Sequence, residues 1–478
     1  MKRLTMIIGF VCFIFTLSAC ESGSIDPNIT ATGTTSVEIV VLTDTTPTST
    51  VRDEIPDPCK KWDNRDFVSR EISTQGEDRA GKIRAVGKQI FITHSQVSQK
   101  DPFSNLLVSR SFDCARTWFK PDLIDRLQDQ SRENDYNDFN GIAHDFIVTP
   151  GTSSVLYATW GDVLHSSPVF AVSTNATKKA EWEFDGVTAP DMSVFPMINN
   201  NERLLSHKNI VYQVFYDSNN SPGQVQVRSA FDGYLIWYQS HIDIAPTRNL
   251  EEFWVHFRDA QIDRDGKIYV FLRVVDKDQT GVYGSQIVSE VVWVGSPYPG
   301  GLDWKEYTLS SFDNSLPNYH EEAIQTTIDP SNGKIYQLFR NPQDQKYWIR
   351  GFDKNLGSWV NVIKIPIQDF WQVSESGSDY FIVGPASFTV FSRSVLYNDL
   401  GEKVFVIRVS KSPDGKIWLP AIKLHEVIMS EETYYDPIKF MVTVSEDGKF
   451  HTLLDLPEGF RHKETLNSGI IYKGEWRE

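Results

Sequence analysis

A turn followed by a short apolar strand recurs seven times along this chain. The copies are Gly87-Lys88-Gln89-Ile90-Phe91-Ile92, Ser154-Val155-Leu156-Tyr157-Ala158 and Asn209-Ile210-Val211-Tyr212-Gln213-Val214, then Gly266-Lys267-Ile268-Tyr269-Val270-Phe271, Gly333-Lys334-Ile335-Tyr336-Gln337-Leu338, Lys403-Val404-Phe405-Val406 and Gly448-Lys449-Phe450-His451-Thr452-Leu453. Each copy lies between two other short apolar runs, at a period of roughly 45 to 70 residues. A unit of that length holds about four strands and cannot cover its own sheet, so successive units must stack. Radial stacking of four-stranded sheets gives a β-propeller. The pattern therefore predicts an all-β chain of seven blades, or six if one copy belongs to an insertion. Apolar and polar residues alternate over short runs bounded by Gly, Asp, Asn and Pro, as strands require. Leu123–Leu127 is the one candidate for a helical turn.

A second element falls after the third strand of several units. Its clearest copy is Ser111-Phe112-Asp113-Cys114-Ala115-Arg116-Thr117-Trp118, and Ser412-Pro413-Asp414-Gly415-Lys416-Ile417-Trp418 is a shortened one. Ser173–Trp182 and Ser229–Trp237 are looser. These stretches resemble the Asp box, or bacterial neuraminidase repeat, of sialidase-like propellers, and the resemblance covers roughly residues 60 to 478. Asp and Ser side chains bond back to nearby amides in such turns, and a small residue makes the bend. The first copy departs from the pattern by Ala115 in the Gly position. The resemblance implies that Ser111, Asp113, Thr117, Trp118, Ser412, Asp414 and Trp418 are fold residues on the face away from a ligand site. Trp62–Ile72 precedes the first unit and is expected to supply the outer strand of the last blade, closing the ring. That placement sets Cys59 near Cys114, and a disulfide between them is expected in an oxidising compartment.

The N-terminus bounds where the chain works. Met1-Lys2-Arg3 is a positive start, and Met6–Leu17 is an apolar run too short for a comfortable permanent span. Leu17-Ser18-Ala19-Cys20 resembles the lipobox of bacterial lipoproteins. That resemblance implies a signal peptide over 1–19, lipid on Cys20, and a place outside the cytoplasm on a bacterial membrane. Residues 20–57 are rich in Thr, Ser, Pro and Asp and read as a flexible tether, with a short strand allowed at Val37–Leu42. Residues 58–478 are the propeller. A net charge of −16 without clustered Lys and Arg excludes nucleic acid as the expected partner. A monomer is expected.

Ligand sites of propellers sit at the mouth of the central channel, beside the starts of the inner strands. Five units place ionisable or phenolic groups there: Glu77-Asp78-Arg79, His144-Asp145, His256-Phe257-Arg258-Asp259, His320-Glu321-Glu322 and Tyr434-Tyr435-Asp436. A convergent ring of these would hold a glycan or similar polar ligand. The sialidase resemblance implies an arginine clamp for a carboxylate, for which Arg79, Arg258 and Arg340 are candidates. It also implies a Tyr nucleophile, for which Tyr435 stands in place, and a carboxylate acid/base, Asp145 or Asp259. His144, Glu321, Glu322 and Asp436 are further ligand candidates. Two departures count against a sialidase: the Arg-Ile-Pro motif is absent, and Asp436 follows Tyr435 where Ser is usual. The competing reading makes the same charged groups solvated loop residues or ion pairs between adjacent blades.

No His spacing fits a metal site, and nothing calls for an organic cofactor. The turns Asp263-Arg264-Asp265-Gly266 and Ser445-Glu446-Asp447-Gly448 have carboxylates that could take calcium, but Asp-Gly is itself turn chemistry. The expectation is a tethered propeller that binds a glycan or similar polar ligand. The alternatives are a sialidase-like glycosidase and a scaffold for envelope or membrane-complex assembly.

Overall fold

The computed structural model describes residues 77–97, 103–128 except 116, 144–149, 155–161, 168–173, 183–184, 202–217 except 209, 224–231, 238–244, 253–276, 287–296, 304–311, 322–341, 344, 346–366, 381–384, 387–429, 439–444, 449–456, 461–462 and 469–474. The signal, the tether, Val37–Leu42, Cys59 and the expected closing strand Trp62–Ile72 lie outside them.

All regular structure among the described residues is strand, in seven antiparallel sheets. The first holds β1 (Glu77–Val86), β2 (Gln89–Val97), β3 (Phe103–Ser111) and β4 (Asp122–Gln128). The second holds β5 (His144–Thr149), β6 (Val155–Gly161), β7 (Pro168–Ser173) and β8 (Glu183–Phe184). The third holds β9 (Glu202–His207), β10 (Ile210–Asp217), β11 (Gln224–Phe231) and β12 (Tyr238–Asp243). The fourth holds β13 (Phe253–Ile262), β14 (Ile268–Asp276), β15 (Ile287–Gly295) and β16 (Lys305–Ser311). The fifth holds β17 (Glu322–Asp329), β18 (Lys334–Arg340), β19 (Tyr347–Asp353) and β20 (Ser358–Lys364). The sixth holds β21 (Phe381–Gly384), β22 (Ser387–Tyr397), β23 (Lys403–Ser412) and β24 (Ile422–Ile428), with β27 (Arg461–His462) added beside β24. The seventh holds β25 (Lys439–Val444), β26 (Phe450–Leu456) and β28 (Gly469–Gly474).

The packing between sheets closes a ring, and the fold is a β-propeller. Phe91, Leu106 and Val108 of the first sheet bury against Phe146 and Leu156 of the second. The second meets the third where β5 lies beside β9. One core joins the third and fourth through Val214, Val227, Phe257 and Val270. Another joins the fourth and fifth through Phe271, Val292, Ile335 and Phe352. The fifth, sixth and seventh share a core containing Leu338, Phe391, Phe405 and Leu454. The seventh returns to the first through Leu453, Ile470 and Tyr472 against Ile83, Ile90 and Ile92.

The strand sequences follow from this arrangement. A middle strand is covered on both faces by neighbouring sheets, so all seven residues of β26 are buried. The outer strand β20 reads Ser-Trp-Val-Asn-Val-Ile-Lys and has no buried residue. Two expectations are corrected. Leu123–Leu127 lies within β4, because Leu107 and Leu106 of β3 pair with it. The repeat copy at Lys403–Val406 is the third strand of its sheet and not the second, which is β22. A Gly turn leading into Val-Phe-Val occurs at either kind of hairpin, so the motif alone does not count strands.

The turn after β3 is closed as its sequence suggests. The Asp113 carboxylate accepts the Ser111 hydroxyl at 2.9 Å, the Thr117 amide at 2.9 Å and the Thr117 hydroxyl at 2.6 Å. Ser111 Oγ accepts the Ala115 amide. After β23, Asp414 accepts the amides of Lys416 and Ile417. Ala115 takes a left-handed backbone, φ 63°, as Gly415 does at 76°, so the alanine is strained where glycine is not. Trp118 packs edge-on to Tyr472, 5.7 Å between centroids, at the seam of first and seventh sheets. Asp113→Ala is expected to cost about 2 kcal/mol by leaving those donors to water. A shift of the urea midpoint at unchanged slope reads it, and an unshifted midpoint would assign the turn no energetic role.

Candidate functional site

Three inner strands carry a β-bulge at equivalent places, between Ala80 and Lys82 in β1, Phe257 and Asp259 in β13, and Ala323 and Gln325 in β17. A bulge adds one residue and re-aims the side chains after it. Those side chains span the gaps between sheets. Arg84 Nη2 donates to Asp145 Oδ1 at 3.0 Å, joining the first sheet to the second. Asp145 Oδ2 accepts the Leu204 amide at 2.7 Å, joining the second to the third. Arg203 Nε donates to Asp259 Oδ1 at 2.6 Å, joining the third to the fourth. Asp259 Oδ2 accepts Gln261 Nε2, and Gln261 Oε1 in turn accepts the Ile328 amide of the fifth sheet. Gln325 Oε1 accepts the Phe381 amide of the sixth sheet. A polar belt thus runs along the inner strands through six consecutive sheets.

Asp145 is its centre. The side chain is 3% exposed, and its Oδ1 also accepts its neighbour's amide, Phe146 N, at 2.8 Å. Burial alone would raise its pKa, but the charges of Arg84, Lys82 and Arg203, together with the Leu204 amide, hold it below the ordinary carboxylate value. Asp145 is therefore an anion at neutral pH, fit to accept hydrogen bonds or a proton and not to donate one. Lys82, Arg84 and Arg203 lie around Asp145, and Arg203 also pairs with Asp259, so these five side chains carry one positive charge in excess. Such a cluster favours ligands bearing oxygen acceptors.

The sequence candidates fall out unevenly. Asp145 and Asp259 are brought into one network through Arg203, both as partners of arginines. Arg258 is the half-buried bulge residue of β13. Arg340 ends β18 opposite Glu322 in the register. Arg79 lies opposite Ser95 in β1 and His144 opposite Trp160 in β5. Glu321, Tyr435 and Asp436 lie outside the described residues. Lys82, Arg84, Arg203, Gln261 and Gln325 were not among the candidates. Their signal was a polar residue at alternate positions of an inner strand, as in Lys82-Ile83-Arg84-Ala85, which is legible only once the bulge fixes the phase. Asp263, Asp265 and Gly266 form a turn in which Asp263 Oδ1 accepts the amides of Asp265 and Lys267.

No family model and no curated protein matches the chain. Among solved structures it is similar to the polysaccharide lyase Uly1, at 10% identity over 88% of this chain and 94% of that one, with a TM-score of 0.49. It is also similar to an α-L-arabinofuranosidase of Fusarium graminearum in complex with arabinobiose, at 12% identity over 72% and 96%, TM-score 0.37. Extracellular domains 1–2 of Drosophila semaphorin 1a match at 10% identity over 85% and 88%, TM-score 0.39. Identities this low assign no ligand.

Proposed function

We propose that this chain is an extracytoplasmic, lipid-anchored propeller that binds a glycan or a similarly polar ligand at the mouth of its channel. The observation that carries the reading is the inner-strand belt, where Lys82, Arg84 and Arg203 outnumber the carboxylates they pair with. Hydroxyl and carboxylate oxygens of a sugar suit such donors. Anchoring rests on Leu17-Ser18-Ala19-Cys20 and the Thr-rich tether that follows. The Cys59–Cys114 pairing belongs to the same reading, supported by the complete burial of Cys114 beside the first-seventh sheet seam.

A glycosidase of sialidase type is the catalytic extension, with Tyr435 as nucleophile. In it Asp145, held ionised, would serve as base or electrostatic partner and not as acid. A glycan array and a panel of fluorogenic glycosides, run on the purified full-length chain, test both. Binding is expected to weaken about tenfold in Lys82→Gln, the loss of one charged hydrogen bond. Silence on the array and on every glycoside would discard the glycan reading and leave a protein scaffold. The mass of the N-terminal peptide reports acylation of Cys20, and a non-reduced peptide map reports the disulfide.

A further inference from the structure

The strand order divides the propeller's turns between two faces. In each antiparallel sheet the turn from first to second strand and the turn from third to fourth leave by the same end. Consecutive first-to-second turns also touch. The Arg264 amide donates to Pro330 O at 2.7 Å, linking those turns of the fourth and fifth sheets. A Cβ on Gly266 would lie 2.9 Å from the ring of His207, the last residue of β9. The repeated motif Gly-Lys sits in these turns. It places Lys88 and Lys267 at exposed positions around one mouth of the ring, and Lys208, after His207, is exposed in the equivalent turn of the third sheet. The third-to-fourth turns add exposed Lys120 and Lys416 on the same side, and Lys423, at the start of β24, is exposed beside them and pairs with Glu426 of its own strand.

The carboxylates of these turns are directed onto backbone. Asp263 accepts the Asp265 and Lys267 amides, Asp329 the Ser331 amide, Asp353 those of Asn355 and Leu356, and Asp414 those of Lys416 and Ile417. The exposed Asp265 lies between the exposed Arg264 and Lys267. Among the described residues of this face, outward cations predominate, on a chain whose net charge is −16. It is also apolar. Phe119, Leu123, Leu356, Ile417, Leu419 and Ile422 lie at or beside the third-to-fourth turns, each half exposed or more. Ile417, Leu419 and Ile422 stand among Lys416 and Lys423, so side chains able to enter an acyl layer alternate with ones able to meet its headgroups.

We infer that this face is a membrane-docking surface, whose occupant is a bilayer rich in anionic headgroups. Charge complementarity selects the surface: lysines close to an anionic leaflet gain from its potential, and exposed apolar side chains gain by entering the headgroup boundary. The inference rests on the anchoring reading only for its setting, since a lipid on Cys20 supplies proximity and the face supplies orientation. Docked so, the propeller lies flat, and the opposite mouth of the channel opens away from the membrane.

Hydrogen exchange on the full-length chain tests it, with vesicles of phosphatidylcholine alone or mixed with phosphatidylglycerol. Residues 117–123 and 415–423 are expected to gain protection on the mixed vesicles only. The hairpin of Tyr397 and Leu400, on the other face, is expected to keep its rate. Replacing Lys88, Lys208 and Lys267 together by Gln is expected to weaken this protection about a hundredfold in lipid concentration, about fivefold per lysine. Ile417→Ser with Leu419→Ser should abolish it at segment 415–423 while leaving urea unfolding unchanged. Equal protection on both vesicle types, protection of the Tyr397 hairpin instead, or no protection would overturn the inference. So would protection by soluble heparin and not by vesicles, which would assign the face to a polyanionic polymer. The N-terminal peptide mass is read separately. An unacylated Cys20 with protected turns would refute the anchor and keep the docking face, and an acylated Cys20 with unprotected turns would do the reverse.

Discussion

Gly333→Ala is expected to destabilise the propeller by about 4 kcal/mol, the sum of two costs at one turn. Gly333 sits at φ 66° between β17 and β18, where an alanine is strained by about 1–2 kcal/mol. The new methyl would also collide with the Tyr269 hydroxyl and lie 2.7 Å from Asp263 Oδ2. These two atoms share a buried hydrogen bond of 3.0 Å. Tyr269 Oη also accepts Lys354 Nζ at 3.3 Å, and Lys354 reaches Gly333 O at 3.1 Å. Burial and the Asp263 carboxylate push the Tyr269 phenol well up, so it stays a neutral donor to that carboxylate. The methyl therefore breaks the Tyr269–Asp263 hydrogen bond within the fourth sheet and, by displacing Tyr269, the Lys354 link to the fifth, and a hydrogen bond to a charged acceptor carries about 1.5–3 kcal/mol. Gly87→Ala is the control. Its φ is 55° and a Cβ there meets nothing within 4 Å, so only the backbone strain of about 1 kcal/mol remains. Urea unfolding of both variants separates the terms. Equal losses would mean that the Tyr269 clasp contributes nothing.

The contrast between those two glycines shows what a sequence carries and what it conceals. Gly87-Lys88 and Gly333-Lys334 are the same dipeptide in the same turn of the repeat, and the period of that repeat was enough to predict stacked four-stranded sheets. What surrounds each turn depends on the neighbouring sheet, and the partner of Gly333 is Tyr269, 64 positions earlier by numbering. The inner-strand belt was hidden in the same way. Asp145 and Asp259 were legible as charged groups near strand starts, but Arg84 and Arg203 gained meaning only when β1, β5, β9 and β13 stood side by side. Bulges at Ala80/Lys82 and Phe257/Asp259 shift the alternation by one residue and hide its phase from any period-2 count. The sixth repeat copy failed for a simpler reason. Val-Phe-Val after a Gly turn is equally suited to a second or a third strand, since both are buried on two faces.

Asp145→Asn is expected to cost about 3 kcal/mol at neutral pH, in the range found when one partner of a buried ion pair is removed. The amide keeps the shape and its oxygen can still accept the Leu204 amide hydrogen, but its NH2 then replaces the oxygen that accepts Arg84 and the Phe146 amide, so the loss combines a missing acceptor with the missing charge that Arg84, Lys82 and Arg203 face. The pH dependence identifies it. The folded carboxyl lies below its ordinary value of 3.8, so the unfolded chain takes up its proton first as pH falls. The stabilisation is complete well above pH 3.8, begins to fade near it, and is gone below the folded value. The gap between wild type and Asp145→Asn should therefore be constant from pH 8 to about 5 and close below about 4. Asp259→Asn provides a graded comparison: its partner Arg203 and its own side chain are 16% and 22% exposed, so screening reduces its effect to about 1 kcal/mol. Urea midpoints across that pH range decide the matter. A gap for Asp145→Asn that persists unchanged to pH 3 would show that the pattern of acceptors and not the charge is what the belt requires.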